Sequence, residues 1–518
     1  MKLPTGSEAQ EVVGDEFHIT RPQALTITAM MVLSLMAALD GSLLAVALPV
    51  IANDLHASAI QGFWAGTSYL LCSAVFQPIF GSLSEALGRK ALVLFGMVIF
   101  ALGALVAGIA HNVTQLLVGR SLQGVGGGGL ITLSSIIIAD YIPLKARGRY
   151  LGMLSAVWAV GSVIGPVIGG CFAEKSTWRW IFYINFPFIG IGAALLLVFF
   201  PRASASCHPR DWRAKLREID LVGMVLFAAS TSSFLIPLSW GGVMYRWSSW
   251  HTLLPLCLGV GGLLAFGGYE YRWARQPVIP PTIFRDRSTS IALGSFFCLG
   301  FLLWCGLYYL SLYYQIVKGY TPIVTGVALF PATLTIAPVA AVTGFAIAAT
   351  GRIRWAIWAG WILATVGFGL LCLLQVETPI PGWVFIEMVS GIGLGMVVLG
   401  AALAVQTSSP PELVPLAISL ATFFRSFGQC VGVAIGGVIF QNRATALLAR
   451  HPHLRAIAQR YRQDPFGLIP ALERADAATR GEVRSVYADS LRTIWAMGCA
   501  LSGVALMASL WMKSRALR

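Results

Sequence analysis

Charge is scarce in this chain. Asp, Glu, Lys and Arg make up 11% of its 518 residues, against about 25% in soluble domains. Hydrophobic residues make up 57%, and the mean hydropathy is +0.76. That balance excludes an ordinary soluble domain and points to a chain that crosses a membrane many times. Acidic residues are the rarer kind, 22 against 36 basic, for a formal net charge of +14. The basic residues lie between apolar runs and form no domain of their own, so no nucleic-acid partner is expected. Nine cysteines contain no C-x2-C pair, which excludes a disulfide framework and a zinc site on spacing grounds. HExxH, G-x-S-x-G and Walker patterns are missing, as is any His pair with metal spacing inside a span. No catalytic residues, metal or cofactor are therefore expected, and a membrane-embedded enzyme is disfavoured. No cleavable signal peptide is expected either. Residues 1–22 are polar and partly acidic (Glu8, Glu11, Asp15, Glu16), and the first apolar run is expected to serve as an uncleaved anchor.

What the chain has is apolar length. Runs of about 20 such residues can cross a bilayer. Fourteen are present, near 25–50, 61–83, 91–110, 113–138, 149–173, 179–200, 219–241, 250–270, 289–316, 322–349, 354–375, 381–407, 412–440 and 491–512. The expected fold is an all-α membrane protein with fourteen transmembrane helices. An even number puts both termini on one side, and the Lys and Arg bias assigns that side. The terminus side carries 21 basic residues, among them Arg89, Lys90, Arg147, Arg352 and Arg354. The opposite short loops carry four: Lys175, Arg179, Arg246 and Lys318. Cytoplasmic termini follow. The last outer loop, 441–490, runs against the bias with eight arginines, although long segments translocate largely regardless of charge. The linker 201–218 places Trp212, Leu216 and Ile219 on one helical face among basic residues, the pattern of an interfacial amphipathic helix. Trp178, Trp180, Trp250, Trp355 and Trp383 stand at span ends, where tryptophan anchors the interface. The sequon Asn112-Val113-Thr114 sits too close to a span to be expected to carry a glycan.

Within this frame, the stretch from Leu116 to Gly170 stands out. Arg120 lies inside an apolar run. A charge there is costly and by default marks a functional site. Glycines follow at Gly124, Gly126 and Gly128, then at Gly161, Gly165, Gly169 and Gly170 with Pro166 among them. Such spacing lets helix backbones touch. The pattern recurs: the second set matches Gly428, Gly432, Gly436 and Gly437 at an offset of 267, and the first matches Gly391, Gly393 and Gly395 at the same offset. Gly81-x6-Gly88-Arg89 matches Gly344-x6-Gly351-Arg352 at an offset of 263. The chain thus reads as two parallel copies of a six-span unit with two spans inserted between them, a transporter architecture. The expected divisions are a tail at 1–22, a first half at 23–200, a linker with two inserted helices at 201–287, and a second half at 288–518.

At these residues the sequence resembles the major facilitator superfamily. It is most similar to the fourteen-span drug:proton antiporter branch, particularly fungal efflux pumps. The resemblance rests on Leu39-Asp40-Gly41-Ser42 through Pro49, the loop Gly81 to Lys90 with Glu85 in it, and Arg120-x2-Gln123-Gly124-x-Gly126. Gly161-x3-Gly165-Pro166-x2-Gly169-Gly170 is similar to the antiporter motif, and Trp178-Arg179-Trp180 through Asn185-x-Pro187 is typical of the branch. Two positions depart from the family pattern. Glu85 stands where Asp is usual, and Ala45 where Asn is usual. The resemblance implies a proton-coupled exporter of a small amphipathic organic compound, such as a drug, toxin or secondary metabolite. It implies a monomer in the plasma membrane or, alternatively, in the vacuolar membrane. It also implies that Glu85, Arg89 and Lys90 form a cytoplasmic latch between the halves. An importer such as a siderophore:proton carrier is the alternative within transporters, and a non-transporting sensor on the same scaffold is a second one.

Elementary geometry supports a site in the outer half of the bilayer. Asp40 lies about 22 Å into span one at 1.5 Å per residue, and Arg120 about 10 Å below the outer start of span four. A proton exchanged at Asp40 beside Arg120 is expected. Glu387 precedes its Gly-x-Gly by four residues as Arg120 does, so the two halves offer opposite charges at equivalent positions. Snorkelling toward the outer surface is the competing expectation for Glu387. Arg425, deeper in its span, is expected to be a counter-charge for a substrate or for Glu387.

Overall fold

The computed structural model describes residues 19–57, 59–200, 219–241, 245–274, 277–451, 454 and 476–513. The 201–218 linker and most of the 441–490 loop lie outside the described residues, and so does the start of the N-terminal tail. Among the described residues the chain is helical, with no β-strand. The first half contains α1 (Arg21–Asp54), α2 (Ala59–Leu87), α3 (Arg89–Gly108), α4 (Val113–Tyr141), α5 (Leu144–Lys175), α6 (Trp180–Tyr183) and α7 (Asn185–Phe199). The helices α8 (Leu221–Trp240) and α9 (Trp250–Arg272) follow. The second half contains α10 (Arg287–Leu312), α11 (Pro322–Ala328), α12 (Phe330–Thr350), α13 (Arg354–Leu371), α14 (Ile380–Ser408), α15 (Val414–Leu448) and α16 (Ala477–Leu510). Among the described residues, fourteen segments are long and apolar enough to span a bilayer, as the hydropathy pattern anticipates. The last two are longer than expected: α15 runs on to Leu448 and α16 starts at Ala477, so both flanks of the anticipated loop are helical.

Three spans are interrupted, and two of the breaks have a clear covalent cause. Pro187 lacks an N–H and its ring opposes the carbonyl four residues back, at Tyr183, where α6 ends. Pro331 does the same between α11 and α12. The third interruption is a π-helical turn, Tyr313–Val317, that extends α10. Such turns recur at functional sites.

The glycine repeat is a packing repeat. A Cβ on Gly161 of α5 would lie 2.6 Å from the Ala38 Cβ of α1, and one on Gly432 of α15 would lie 2.6 Å from the Phe301 carbonyl oxygen of α10. In both halves, therefore, the fifth span of the unit presses on the first. The other set repeats as faithfully. A Cβ on Gly126 would lie 2.6 Å from the Phe100 nitrogen of α3, and one on Gly393 would lie 2.8 Å from the Gly360 carbonyl of α13. Overpacking a tight contact costs about 1–3 kcal/mol. Gly165→Leu and Gly432→Leu are each expected to lower transport by about tenfold at matched surface expression. Normal transport rates in both variants, measured in the same vesicles, would remove close packing as the reason for the repeat.

Gly88 and Gly351 have φ of 92° and 64°. Each occupies the turn before a basic residue, in a region where a Cβ is strained. This explains why Gly-Arg recurs. The inserted helices α8 and α9 pair with each other, and α8 leans on α15 through Phe227–Phe423 at 5.2 Å and Phe234–Phe427 at 5.9 Å between ring centroids. Two of the five expected interface tryptophans prove to be interior. Trp178 is buried and donates to Asp54 Oδ2 at 2.8 Å, and Trp383 is buried against the Tyr314 ring. Trp180 and Trp250 are exposed, as an anchor requires. Asn112 caps α4, its side chain accepting from the Gln115 N–H at 2.8 Å.

Candidate functional site

Asp40 and Arg120 meet inside the first half. The Arg120 NH1 donates to Asp40 Oδ2 at 2.6 Å, and the two side chains are 1% and 0% exposed. Asp40 Oδ1 accepts from Gln123 Nε2 and from Asn185 Nδ2, both at 2.9 Å. The arginine also donates to the Ala65 carbonyl at 3.1 Å and to Gln123 Oε1 at 2.9 Å, and it lies over the Tyr69 ring at 4.5 Å. Four helices supply this cluster. Local sequence explains the least obvious member: the Pro187 break starts α7 at Asn185, which delivers its amide to Asp40. The carboxylate is thus held inside the bundle by one cationic and two neutral donors.

Glu387 is fully buried, which rules out the snorkelling expectation. The Tyr314 hydroxyl donates to its Oε1 at 2.5 Å. Tyr314 stands on the π-helical turn and stacks on Tyr320, with centroids 5.8 Å apart. The second oxygen, Oε2, has no hydrogen bond of good geometry, although the Ala332 backbone N–H acts on this carboxylate. That N–H belongs to the first turn of α12, where backbone donors lack helical partners. Arg120 reaches the first span of its half, and Glu387 reaches the turn that extends the first span of the other. The two halves thus place opposite charges on equivalent helix pairs.

A cavity of about 200 Å³ lies between the halves. Ser42, Trp158, Trp304, Leu394, Gln429 and Arg425 are among its lining residues. Ser42, two residues after Asp40 on α1, lines this cavity, and a Cβ on the intervening Gly41 would lie 3.3 Å from the ring of Trp304, another lining residue. Arg425 is not the counter-charge of Glu387, since it makes no ion pair among the described residues. Its guanidinium lies 5.2 Å from the Trp158 ring centroid, and its Nε has no hydrogen-bond partner.

The ends of the bundle also differ from expectation. Arg89 pairs with Asp140 Oδ2 at 3.1 Å and also bonds the Ser84 hydroxyl. The ion-pair partner of Arg89 comes from the end of α4, while Glu85 interacts with the arginine electrostatically. Lys90 donates to the Leu197 carbonyl at 3.3 Å. Arg352 is exposed after its left-handed glycine. Contacts across the halves toward this arginine-rich end include Arg147 NH1 donating to Gln406 Oε1 at 3.2 Å and Gly81 of the expected gating loop packing against Ser419. At the opposite end the halves touch where the Ile323 N–H donates to Glu174 Oε1 at 3.2 Å. Between these ends the motif helix α5 meets α11, since a Cβ on Gly326 would lie 3.0 Å from the Pro166 carbonyl carbon. Gly169 and Gly170 are buried one turn further along.

Gln123, Asn185, Tyr314, Trp158 and Asp140 were not singled out as site residues from sequence. Two of them sat within quoted motifs, which was the available signal for Gln123 and Asn185.

Residues 30–433 match the Major Facilitator Superfamily. The chain is 46% identical to "MFS transporter L2" of Phoma sp., covering 93% of this chain and 80% of that protein. It is 35% identical to "MFS-type efflux pump LUC4" of Fusarium sp., covering 95% and 88%. It is 34% identical to the "Acurin A biosynthesis cluster MFS-type transporter" of Aspergillus aculeatus, covering 95% and 90%. Among solved structures, the inward-facing, unoccupied form of a bacterial homologue of the human lysosomal transporter Spinster aligns at a TM-score of 0.61. That alignment covers 95% of this chain and 98% of the other at 16% identity, which is a likeness of fold alone. With fourteen spans, paired glycine motifs and relatives matched along nearly the whole chain, this protein belongs to the Major Facilitator Superfamily.

Proposed function

We propose that this integral membrane protein is a proton-coupled exporter of a small amphipathic organic compound, acting as a monomer in the plasma membrane. The observation that carries the reading is the buried Asp40–Arg120 pair with its neutral amide partners, its acid on the helix that also supplies Ser42 to the wall of a cavity between the halves. Relatives named as efflux pumps and as a biosynthesis-cluster transporter support the export direction and suggest a secondary metabolite as cargo.

The proposed cycle uses this chain's own groups. Substrate occupies the apolar cavity. A proton reaches Asp40 when Arg120 moves off the carboxylate, and it leaves when the pair re-forms. Glu387, buried in the other half beside Tyr314, is a second acid able to take part. The glycine-packed helices α5 and α15 carry the relative movement of the halves. The Arg89–Asp140 pair and the Arg147–Gln406 contact bias which end is closed, as charge pairs at a bundle end can do.

Accumulation of a fluorescent substrate panel in whole cells tests the reading. Cells expressing the protein are expected to hold less probe than controls, and a proton uncoupler is expected to abolish the difference. Higher accumulation that collapses on uncoupling would mean an importer. Equal accumulation in both strains, with or without uncoupler, would favour a protein that does not transport.

A further inference from the structure

We infer that the compound moved is an organic anion, an acid group on an apolar body, and that Arg425 receives its charge. This rests on the transport reading above. The cavity wall holds a cation with no anion to answer it. Among the described residues lining the cavity, Arg425 is the one charged side chain. None of the three buried carboxylates in the described spans answers it, and Glu270 accepts from the Val278 and Ile279 N–H groups. Asp40 is held by Arg120, Gln123 and Asn185, and Glu387 is bonded to Tyr314. A charge left unpaired inside a span is costly, so retaining one there calls for a partner that arrives from outside the chain.

The surroundings fit that partner. The Trp158 ring attracts the guanidinium, but an aromatic face offers no oxygens to the planar fork of N–H donors, which matches a carboxylate or sulfonate. Thr422 and Gln429 lie three residues before and four after Arg425 on the same face of α15, and both line the cavity. They supply neutral polar contacts beside the cation. Trp304, Phe296 and a set of leucines form a large share of the wall, with serines between them, and suit an apolar body. A neutral substrate would leave Arg425 unanswered, and a cationic one would be repelled with no acid in the wall to offset it.

The test uses purified protein in proteoliposomes and three probes: 1-naphthaleneacetate, its neutral amide 1-naphthaleneacetamide, and the cation rhodamine 6G. Binding is read from quenching of tryptophan fluorescence, and flux from proton-driven uptake. The acid is expected to bind about tenfold more tightly than the amide, the scale of a charge-assisted hydrogen bond. Arg425→Gln is expected to bring the two within about twofold by weakening the acid, while Arg425→Lys keeps part of the preference. Equal wild-type affinities, a preference for rhodamine 6G, no binding of the acid, or an unchanged ratio in Arg425→Gln would each overturn the inference. If Arg425→Gln does not fold, the wild-type ratio and the Arg425→Lys variant decide. Proton-driven uptake of rhodamine 6G without preference for the acid would overturn the anion inference and leave the exporter reading standing. No proton-driven flux of any probe, together with no efflux from cells, would overturn the exporter reading itself.

Discussion

Asp40→Asn is expected to abolish uphill export driven by an imposed pH gradient in membrane vesicles, while substrate exchange at equilibrium persists. The substitution keeps the shape of the side chain and removes its ability to bind and release a proton. The oxygen of an amide at that position can still accept from Gln123 and Asn185, so much of the local packing survives. The cost falls on Arg120, which loses its one anionic partner. Removing one member of a buried pair costs about 3–5 kcal/mol, so the rate must be normalised to folded protein. The Ala65 carbonyl, Gln123 and the Tyr69 face continue to hold the guanidinium and lower that cost. Energy-independent counterflow is the control, because it needs a working cavity and moving halves but no net proton transfer. Loss of both uphill export and counterflow would mean a structural defect. Uphill export at the wild-type rate would take Asp40 out of the coupling step and make Glu387 the next acid to replace.

The parts of this site that were legible in the sequence are those where physics leaves few alternatives. A charge in an apolar span is costly enough to be rare, so Asp40, Arg120, Glu387 and Arg425 could be picked out one by one. Close helix contact tolerates only the smallest side chains, so the glycine repeat revealed which spans are equivalent. Neutral polar residues carry no comparable signal. Gln123 and Asn185 are marked only by the motifs that contain them and Tyr314 by nothing, and their contacts appear only when helices from different parts of the chain converge. Asn185 lies 145 residues from Asp40 in sequence. The same distance problem explains Arg89: Glu85 is near it in the chain, but Asp140, 51 residues away, is near it in space. Trp178 and Trp383 show the converse, since a residue at a span end faces lipid or the interior depending on neighbours that the local sequence does not specify.

Arg120→Ala is expected to be more damaging than Asp40→Asn, and a double variant separates the two causes of that damage. Without the guanidinium, a carboxylate in a fully buried position keeps only the Gln123 and Asn185 amides. A stranded buried charge costs about 3–5 kcal/mol, and the space left beside Tyr69 and Phe182 adds a packing loss. Surface expression is therefore expected to fall sharply, together with export. In Asp40→Asn/Arg120→Ala no charge is stranded, so expression is expected to recover toward that of Asp40→Asn alone. Export against a pH gradient is not expected to recover, because the proton-binding group is gone. Surface protein is measured by cell-surface labelling, and coupling by vesicle efflux normalised to it. A double variant no better expressed than Arg120→Ala would show that lost packing, and not the stranded carboxylate, sets the cost. A double variant that exports uphill would place the coupling acid elsewhere in the bundle, with Glu387, bonded by the Tyr314 hydroxyl, as the buried acid of the second half to replace next.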